Sequence, residues 1–414
     1  MSARSATFVV VGAGLGGAKA VETLRRAGFD GRIVLIGEEP GAPYDRPPLS
    51  KGFLAEPEAE TPYLHEAGYY AAHDVELWTG TRVAALDPGS ATITTEGGER
   101  LRYDVLLLAT GSSPRRLRVP GAQLGGVRYL RTLADAEILR ADLRGSGRVV
   151  VVGGGWIGTE IAAAARQLGR EVVLVHRGAM PLEGMLGPDV ARVYRDLHLE
   201  HGAQLVSGDV EAVLGRDQVE GVRTADGRVI EGDLLVVGIG ARPRTELAEA
   251  AGLNVDDGIV VDEHLRASAP GVFAAGDVAR AWHPLFGTSL RVDHWANALN
   301  QGRIAAANML GRPAAFDRVP YAYSDQYDVG MKYSGHAPRW DRVVIRGDVA
   351  GRQFIAFWLH QSRVVAGMNV NTSGVVKPIQ ALVRARRPVD PGRLADPAVP
   401  LEEILDCDAA HRAA

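Results

Sequence analysis

One pattern occurs twice in this chain and narrows its possible folds more than any other feature. "FVVVGAGLGG" (8–17) is four apolar residues followed by Gly12-x-Gly14-x-x-Gly17. "VVVVGGGWIGTE" (149–160) is four valines followed by Gly153-x-Gly155-x-x-Gly158. Each reads as a buried parallel strand, a tight glycine turn and the start of a helix. The likeness extends downstream. "DVLLLATGSSP" (104–114) aligns with "DLLVVGIGARP" (233–243), each an apolar strand led by aspartate and followed by glycine and proline. A lone glycine fingerprint is weak evidence, but two in matched modules predict an α/β chain with two Rossmann-like dinucleotide-binding domains.

The glycines have a physical task. They let the backbone and a helix N-terminus approach a pyrophosphate, whose charge the N–H groups and the helix dipole favour. The first module continues "RIVLIGEEP", which places Glu38 at the strand end where an acid bonds an adenosine ribose 2′-OH. The second continues "EVVLVHRG" and has His176 and Arg177 there instead. Two dinucleotide sites, one with the ordinary acid, predict FAD in the first and a nicotinamide nucleotide in the second. Arginine offers a planar fork to phosphate oxygens, so the second site is expected to favour NADPH over NADH.

Past the second module, "GVFAAGDVA" (271–279) reads as another buried strand, and 296–310 as a helix closed by Gly311 and Pro313. From about Phe316 the pattern alternates and breaks at Gly-Asp and Gly-Arg, which predicts antiparallel strands, followed by a helix over "VVKPIQALVRARR". The expected organisation is a discontinuous FAD domain (1–111 and 245–315), a nucleotide domain between (112–244), and a C-terminal α+β domain (316–414). The 414 residues suffice for several cores. A net charge of −4 gives no support for nucleic acid or an anionic membrane as partner. No apolar run approaches the ~18 residues of a spanning helix, and the N-terminus reads as lacking a leader. A soluble cytoplasmic protein is expected; oligomeric state is not legible.

The motifs "GAGLGG", "PYDRPPLSKGFL", "LLLATGSSPR", "GGGWIGTE", "GVFAAGDVA", "DHWANALNQGRIAAANMLG" and "SDQYDVGMKYSG" span nearly the whole chain. Together they resemble the FAD-dependent ferredoxin reductases that serve bacterial haem monooxygenases and aromatic-ring dioxygenases, of glutathione-reductase fold. The resemblance implies an NAD(P)H:ferredoxin reductase whose partner is a small iron–sulfur ferredoxin. It implies that Lys51 approaches the flavin and that Glu160 pairs with it and faces the nicotinamide. It places Thr110 and Gly111 in a loop over FAD, Arg131 near its phosphates, Asp277 on its ribityl chain and Trp295 beside its ring. Cofactor contacts are also expected at Val83, Ile157 and Gly240.

The cysteine count separates reaction classes within this fold. Disulfide reductases need a cysteine pair beside the flavin, and flavin peroxidases need one where "PYDRPPLSK" stands. The single cysteine is Cys407, so electrons are expected to leave the flavin without a thiol relay. A monodehydroascorbate or quinone reductase and an apoptosis-inducing-factor-like redox sensor remain alternatives. His198 and His201 stand three apart on an expected helix, but without a third ligand they read as polar surface rather than a metal site. No Gly-x-Ser-x-Gly elbow occurs. The arginines of "RWDRVVIRG" and "RARRPVDPGR" read first as a solvated face and second as a docking surface for an acidic partner.

Overall fold

A computed structural model describes residues 6–56 and 58–409, with side chains described up to 405; the leader reading at residues 1–5 and the Cys407 side chain lie outside the described residues. The first module is laid down as strand β1 (Thr7–Val11), helix α1 (Leu15–Arg26), β2 (Arg32–Ile36), β3 (Val75–Trp78) and β4 (Val105–Leu108). The second repeats it as β5 (Arg148–Val152), α2 (Trp156–Gln167), β6 (Glu171–His176), α3 (Glu183–Glu200), β7 (Gln204–Ser207) and β8 (Leu234–Val237). There follow β9 (Val272–Ala274), α4 (Trp295–Met309), the strands β10 (Tyr321–Gln326), β11 (Val329–Gly335), β12 (Arg342–Asp348), β13 (Gln353–His360) and β14 (Arg363–Val370), and α5 (Val376–Ala385).

These elements divide into two units. One holds the chain up to Arg46, Thr61–Ser113 and Ala241–Arg318; the other holds Pro47–Glu60, Pro114–Gly240 and the chain from Val319. In the first unit a parallel sheet runs β9-β4-β1-β2-β3. In the second a parallel sheet runs β7-β6-β5-β8 and ends on the short strand Val127–Arg128. The registers correspond. Val10 lies between Leu35 and Leu107, as Val151 lies between Leu174 and Val236. Strands buried on both faces need continuous apolar runs, which is why each module opens on four apolar residues.

The glycine spacing follows from close approach. A Cβ on Gly12 would stand 2.1 Å from the Ala109 carbonyl oxygen, and one on Gly153 would stand 2.2 Å from that of Gly238. Both glycines have positive φ, 116° and 126°. Each fingerprint thus abuts the residue just beyond its own closing strand, so the two halves of the repeat occur together. The third glycine is equally constrained, since a Cβ on Gly158 would meet the Gly153 oxygen at 1.9 Å. Gly158→Ala is therefore expected to force α2 off β5 and lower stability by at least about 2 kcal/mol. Urea denaturation checks this; a midpoint like that of the unaltered chain would show that the helix yields freely.

In the second unit the C-terminal strands form an antiparallel sheet in the order β10-β11-β14-β13-β12. Helix α3 packs on it through Leu186, Val190, Tyr194 and Leu197 against Met331, Phe354, Trp358 and Met368. Gly187 has extended ψ and positive φ inside α3, directly before Pro188, and the helix kinks there. The buried Trp358 donates its indole N–H to the Leu186 carbonyl at 3.1 Å, at the point where the kink interrupts the helical ladder. Further along α3, His198 meets Gln326 and Tyr327 at the end of β10.

Candidate active site

The two fingerprints are tested as dinucleotide cradles by their middle glycines. Gly14 and Gly155 are the N-caps of α1 and α2, and neither helix start receives a side-chain cap. A Cβ on either glycine would meet nothing within 4 Å. Each helix therefore opens its N-terminal N–H groups onto free space, the arrangement that suits a pyrophosphate. The residues present fit FAD and a nicotinamide nucleotide.

Within the first unit, the Glu38 carboxylate is gripped by both Nη groups of Arg244, with Nη2 donating to Oε2 at 2.7 Å. That bidentate bond, more than any other influence, holds Glu38 below the usual carboxylate range. Arg244 is fixed in turn by its backbone, which donates to the Gly111 carbonyl and accepts from the Thr110 hydroxyl, both at 2.9 Å. Glu38 keeps further lone pairs, because two donors do not saturate a carboxylate. Asp277 lies buried in a single helical turn after β9 and accepts from Ser112 at 2.9 Å. Trp295 opens α4 and donates to Asp45 at 2.7 Å. Val83 is buried on a strand of a small antiparallel sheet.

The second unit brings Lys51 and Glu160 together. Glu160 follows the second fingerprint, on the second turn of α2, and is 3% exposed. Its Oε2 accepts from the Lys51 ammonium at 2.9 Å and from the Ser50 hydroxyl at 2.5 Å, and its Oε1 accepts from Ser324 at 2.6 Å. Lys51 also donates to the Pro47 carbonyl at 3.3 Å and lies 5.4 Å from the centroid of the Tyr323 ring. The turn Pro47–Ser50 sets the serine and the lysine side by side, with proline fixing its φ angles. Ile157, in the first turn of α2, is exposed, and Gly240 has positive φ beside Arg115. Arg131 precedes the helix Leu133–Gly145, its backbone N–H donating to Asp135 at 3.1 Å.

His176 and Arg177 part company at the end of β6. His176 is buried, and burial pushes its ring below the ordinary histidine range, so it is neutral at pH 7. Its Nδ1 lies 3.3 Å from the Arg177 carbonyl. The Arg177 side chain is 86% exposed and pairs with the exposed Asp209.

The polar-surface reading of His198 and His201 is corrected for the first of them. His198 is fully buried, and burial pushes it down to about 4. It faces inward because it lies four and eight residues after the buried Tyr194 and Val190 on the apolar face of α3, where it meets Gln326 and Tyr327. His201 stacks on the Tyr327 ring with centroids 3.7 Å apart. Among the described residues no group of three or more His, Cys, Asp or Glu could hold a metal. No helix among them is long and apolar enough to cross a membrane.

Four partners in these sites were missed from sequence: Ser50, Ser324, Gln326 and Arg244. A signal was present for two of them. In "YAYSDQ" the buried positions alternate as Ala322, Ser324 and Gln326, so two polar residues sit on the inward face of a strand.

Known proteins share this sequence pattern and fold. The family model described as pyridine nucleotide-disulphide oxidoreductase matches residues 6–302, and the one described as reductase C-terminal matches 321–405. Putidaredoxin reductase CamA of Pseudomonas putida is 39% identical over 405 residues, covering 96% of each chain. The ferredoxin–NAD(+) reductase component of the anthranilate 1,2-dioxygenase system of Burkholderia cepacia is 40% identical, covering 96% of this chain and 99% of that one. The fold matches the covalent putidaredoxin reductase–putidaredoxin complex with a TM-score of 0.93 and 38% identity over 99% of both chains. With both dinucleotide cradles, the appended antiparallel sheet and these relatives in agreement, the chain belongs to the pyridine nucleotide-disulphide oxidoreductase family.

Proposed function

We propose that the protein is an NADPH-dependent ferredoxin reductase that feeds electrons to an oxygenase. The observation that carries the reading is the pairing of the half-buried Lys51 with the buried Glu160 beside the second fingerprint, in a chain whose single cysteine is Cys407. Relatives point the same way, several being named as ferredoxin–NAD(+) reductase components or subunits of dioxygenase systems. FAD, when bound, accepts an electron pair from the nicotinamide and releases electrons singly, as an iron–sulfur acceptor requires.

The chain's own residues then have separable tasks. Gly12, Gly14 and Gly17 with the start of α1 hold the FAD pyrophosphate, and Glu38, oriented by Arg244, binds its ribose. Asp277, Thr110, Gly111, Arg131, Val83 and Trp295 are proposed as further FAD contacts. Gly153, Gly155, Ile157, Gly158 and Gly240 do the same for the nicotinamide nucleotide. Lys51 supplies positive charge where negative charge develops during reduction. Glu160, held by two serines, fixes the ammonium in place.

Arg177 is proposed to read a 2′-phosphate, and His176 removes the acid that would repel it. Gly158 carries no information about nucleotide choice, because the Gly153 carbonyl leaves no room for alanine there. The test is NADPH-dependent reduction of cytochrome c with and without a bacterial ferredoxin. The expected result is a rate that depends on ferredoxin. Equal rates in its absence would overturn the reading in favour of a small-molecule acceptor.

A further inference from the structure

The site described above leaves one buried feature unused. A line of hydrogen bonds runs from the last turn of α3 to the Glu160 carboxylate through residues that no nucleotide role requires. His198 Nε2 lies 3.0 Å from Gln326 Oε1, and Gln326 Nε2 donates to Thr159 at 2.9 Å and to Ser324 at 3.2 Å. Ser324 donates to Glu160 Oε1 at 2.6 Å. His198, Gln326, Ser324 and Thr159 are each no more than 1% exposed. Solvent therefore does not complete or reverse the line.

One assignment of protons satisfies every contact along it and carries a donor to Glu160. His198 is neutral because burial pushes it down to about 4, so its ring has a single N–H. The Tyr327 hydroxyl lies 3.2 Å from Nδ1; burial pushes that phenol up, and it remains a donor. With the phenol donating to Nδ1, the ring proton is on Nε2 and points at Gln326 Oε1, and this is the tautomer the proposal takes. That sets the amide, whose NH2 must face Thr159 and Ser324. The Thr159 hydroxyl donates back along α2 to the carbonyl of Gly155 or Trp156, at 3.1 and 3.0 Å, and accepts from the amide. Ser324 likewise accepts from the amide, so its one proton goes to Glu160. Were the amide reversed, its oxygen would draw the Ser324 proton, and Glu160 Oε1 would lose its donor.

We propose that His198, acting through Gln326 and Ser324, is a positioning residue for Glu160: the histidine tautomer selects the amide orientation that commits the Ser324 proton to the carboxylate, and so sets how Glu160 holds Lys51. The proposal rests on the function given to the Lys51–Glu160 pair. It adds that a residue three hydrogen bonds away controls that pair.

The experiment uses the full chain with FAD bound and follows single-turnover reduction of the flavin by NADPH without oxygen. Ser324→Ala and His198→Leu are each expected to slow reduction roughly tenfold to a hundredfold, the range for one lost bond to a charged group, with NADPH affinity unchanged. His198→Gln, which keeps a donor near the Nε2 position, should recover most of the rate. Because the histidine acts only through the serine proton, the double variant should be no slower than Ser324→Ala alone. Nitrogen NMR of labelled histidine gives a second readout that needs no turnover, and the Nε2–H tautomer is expected for His198. This readout also serves if His198→Leu does not fold. An Nδ1–H tautomer, a wild-type rate in His198→Leu or Ser324→Ala, or multiplicative effects in the double variant would overturn the proposal. Lys51→Met separates the two ideas. A wild-type rate in Lys51→Met overturns the reading of the pair itself, whereas a slow Lys51→Met beside a wild-type Ser324→Ala overturns only the control by His198.

Discussion

Lys51→Met is expected to keep FAD bound and to slow flavin reduction by NADPH tenfold to a thousandfold, about the range for removing one preorganised electrostatic contact. Methionine keeps much of the apolar stem that is packed within the turn and removes only the ammonium. The FAD cradle, with its glycines and Glu38, belongs to other segments of the chain. Glu160 would then be a nearly fully buried carboxylate with two hydroxyl donors and no cation. Breaking one side of a buried pair destabilises the fold, so the variant is also expected to unfold at lower denaturant concentration. The two effects separate in a stopped-flow measurement made well below the unfolding transition. Reduction at the wild-type rate there would mean that Lys51 serves only to neutralise Glu160.

The second large effect concerns nucleotide choice. The unaltered protein is expected to favour NADPH over NADH by roughly tenfold to a hundredfold in kcat/KM, the worth of one or two charge-assisted bonds. The double variant His176→Glu/Arg177→Ala should reverse or abolish that preference. Arg177 is available for the task because its bond to Asp209 is an exposed pair, and such pairs contribute only about 0–1 kcal/mol. A 2′-phosphate can therefore recruit the guanidinium at small cost. His176 acts differently. Being buried and neutral, it adds no positive charge, and its part is to keep an acid away from the phosphate. NADH preferred by the wild type, with no gain in that preference on mutation, would show that these residues do not read the 2′ position.

The amino-acid sequence by itself determined the two parallel sheets, the glycine turns and the antiparallel C-terminal strands. These follow from local rules: runs of apolar residues for strands covered on both faces, alternation for those covered on one, and glycine where a Cβ would strike a carbonyl. The double fingerprint was legible because residues close in sequence meet one another, as Gly12 meets Gly17 and Gly153 meets Gly158. What only the tertiary structure decided is the convergence on Glu160. Ser50, Glu160 and Ser324 are over a hundred positions apart, and no periodicity announces that a turn, a helix and a strand will meet at one carboxylate. His198 shows the same limit. Spacing puts it on the apolar face of α3, four and eight residues after Tyr194 and Val190, but only the fold brings Gln326 and Tyr327 against it. Arg244 likewise reads as an ordinary charge after a turn, and its grip on Glu38 exists only because the chain returns to the first sheet after some 200 residues. Hydrogen bonds between distant segments are set by packing, and packing is a property of the whole fold rather than of any stretch of it.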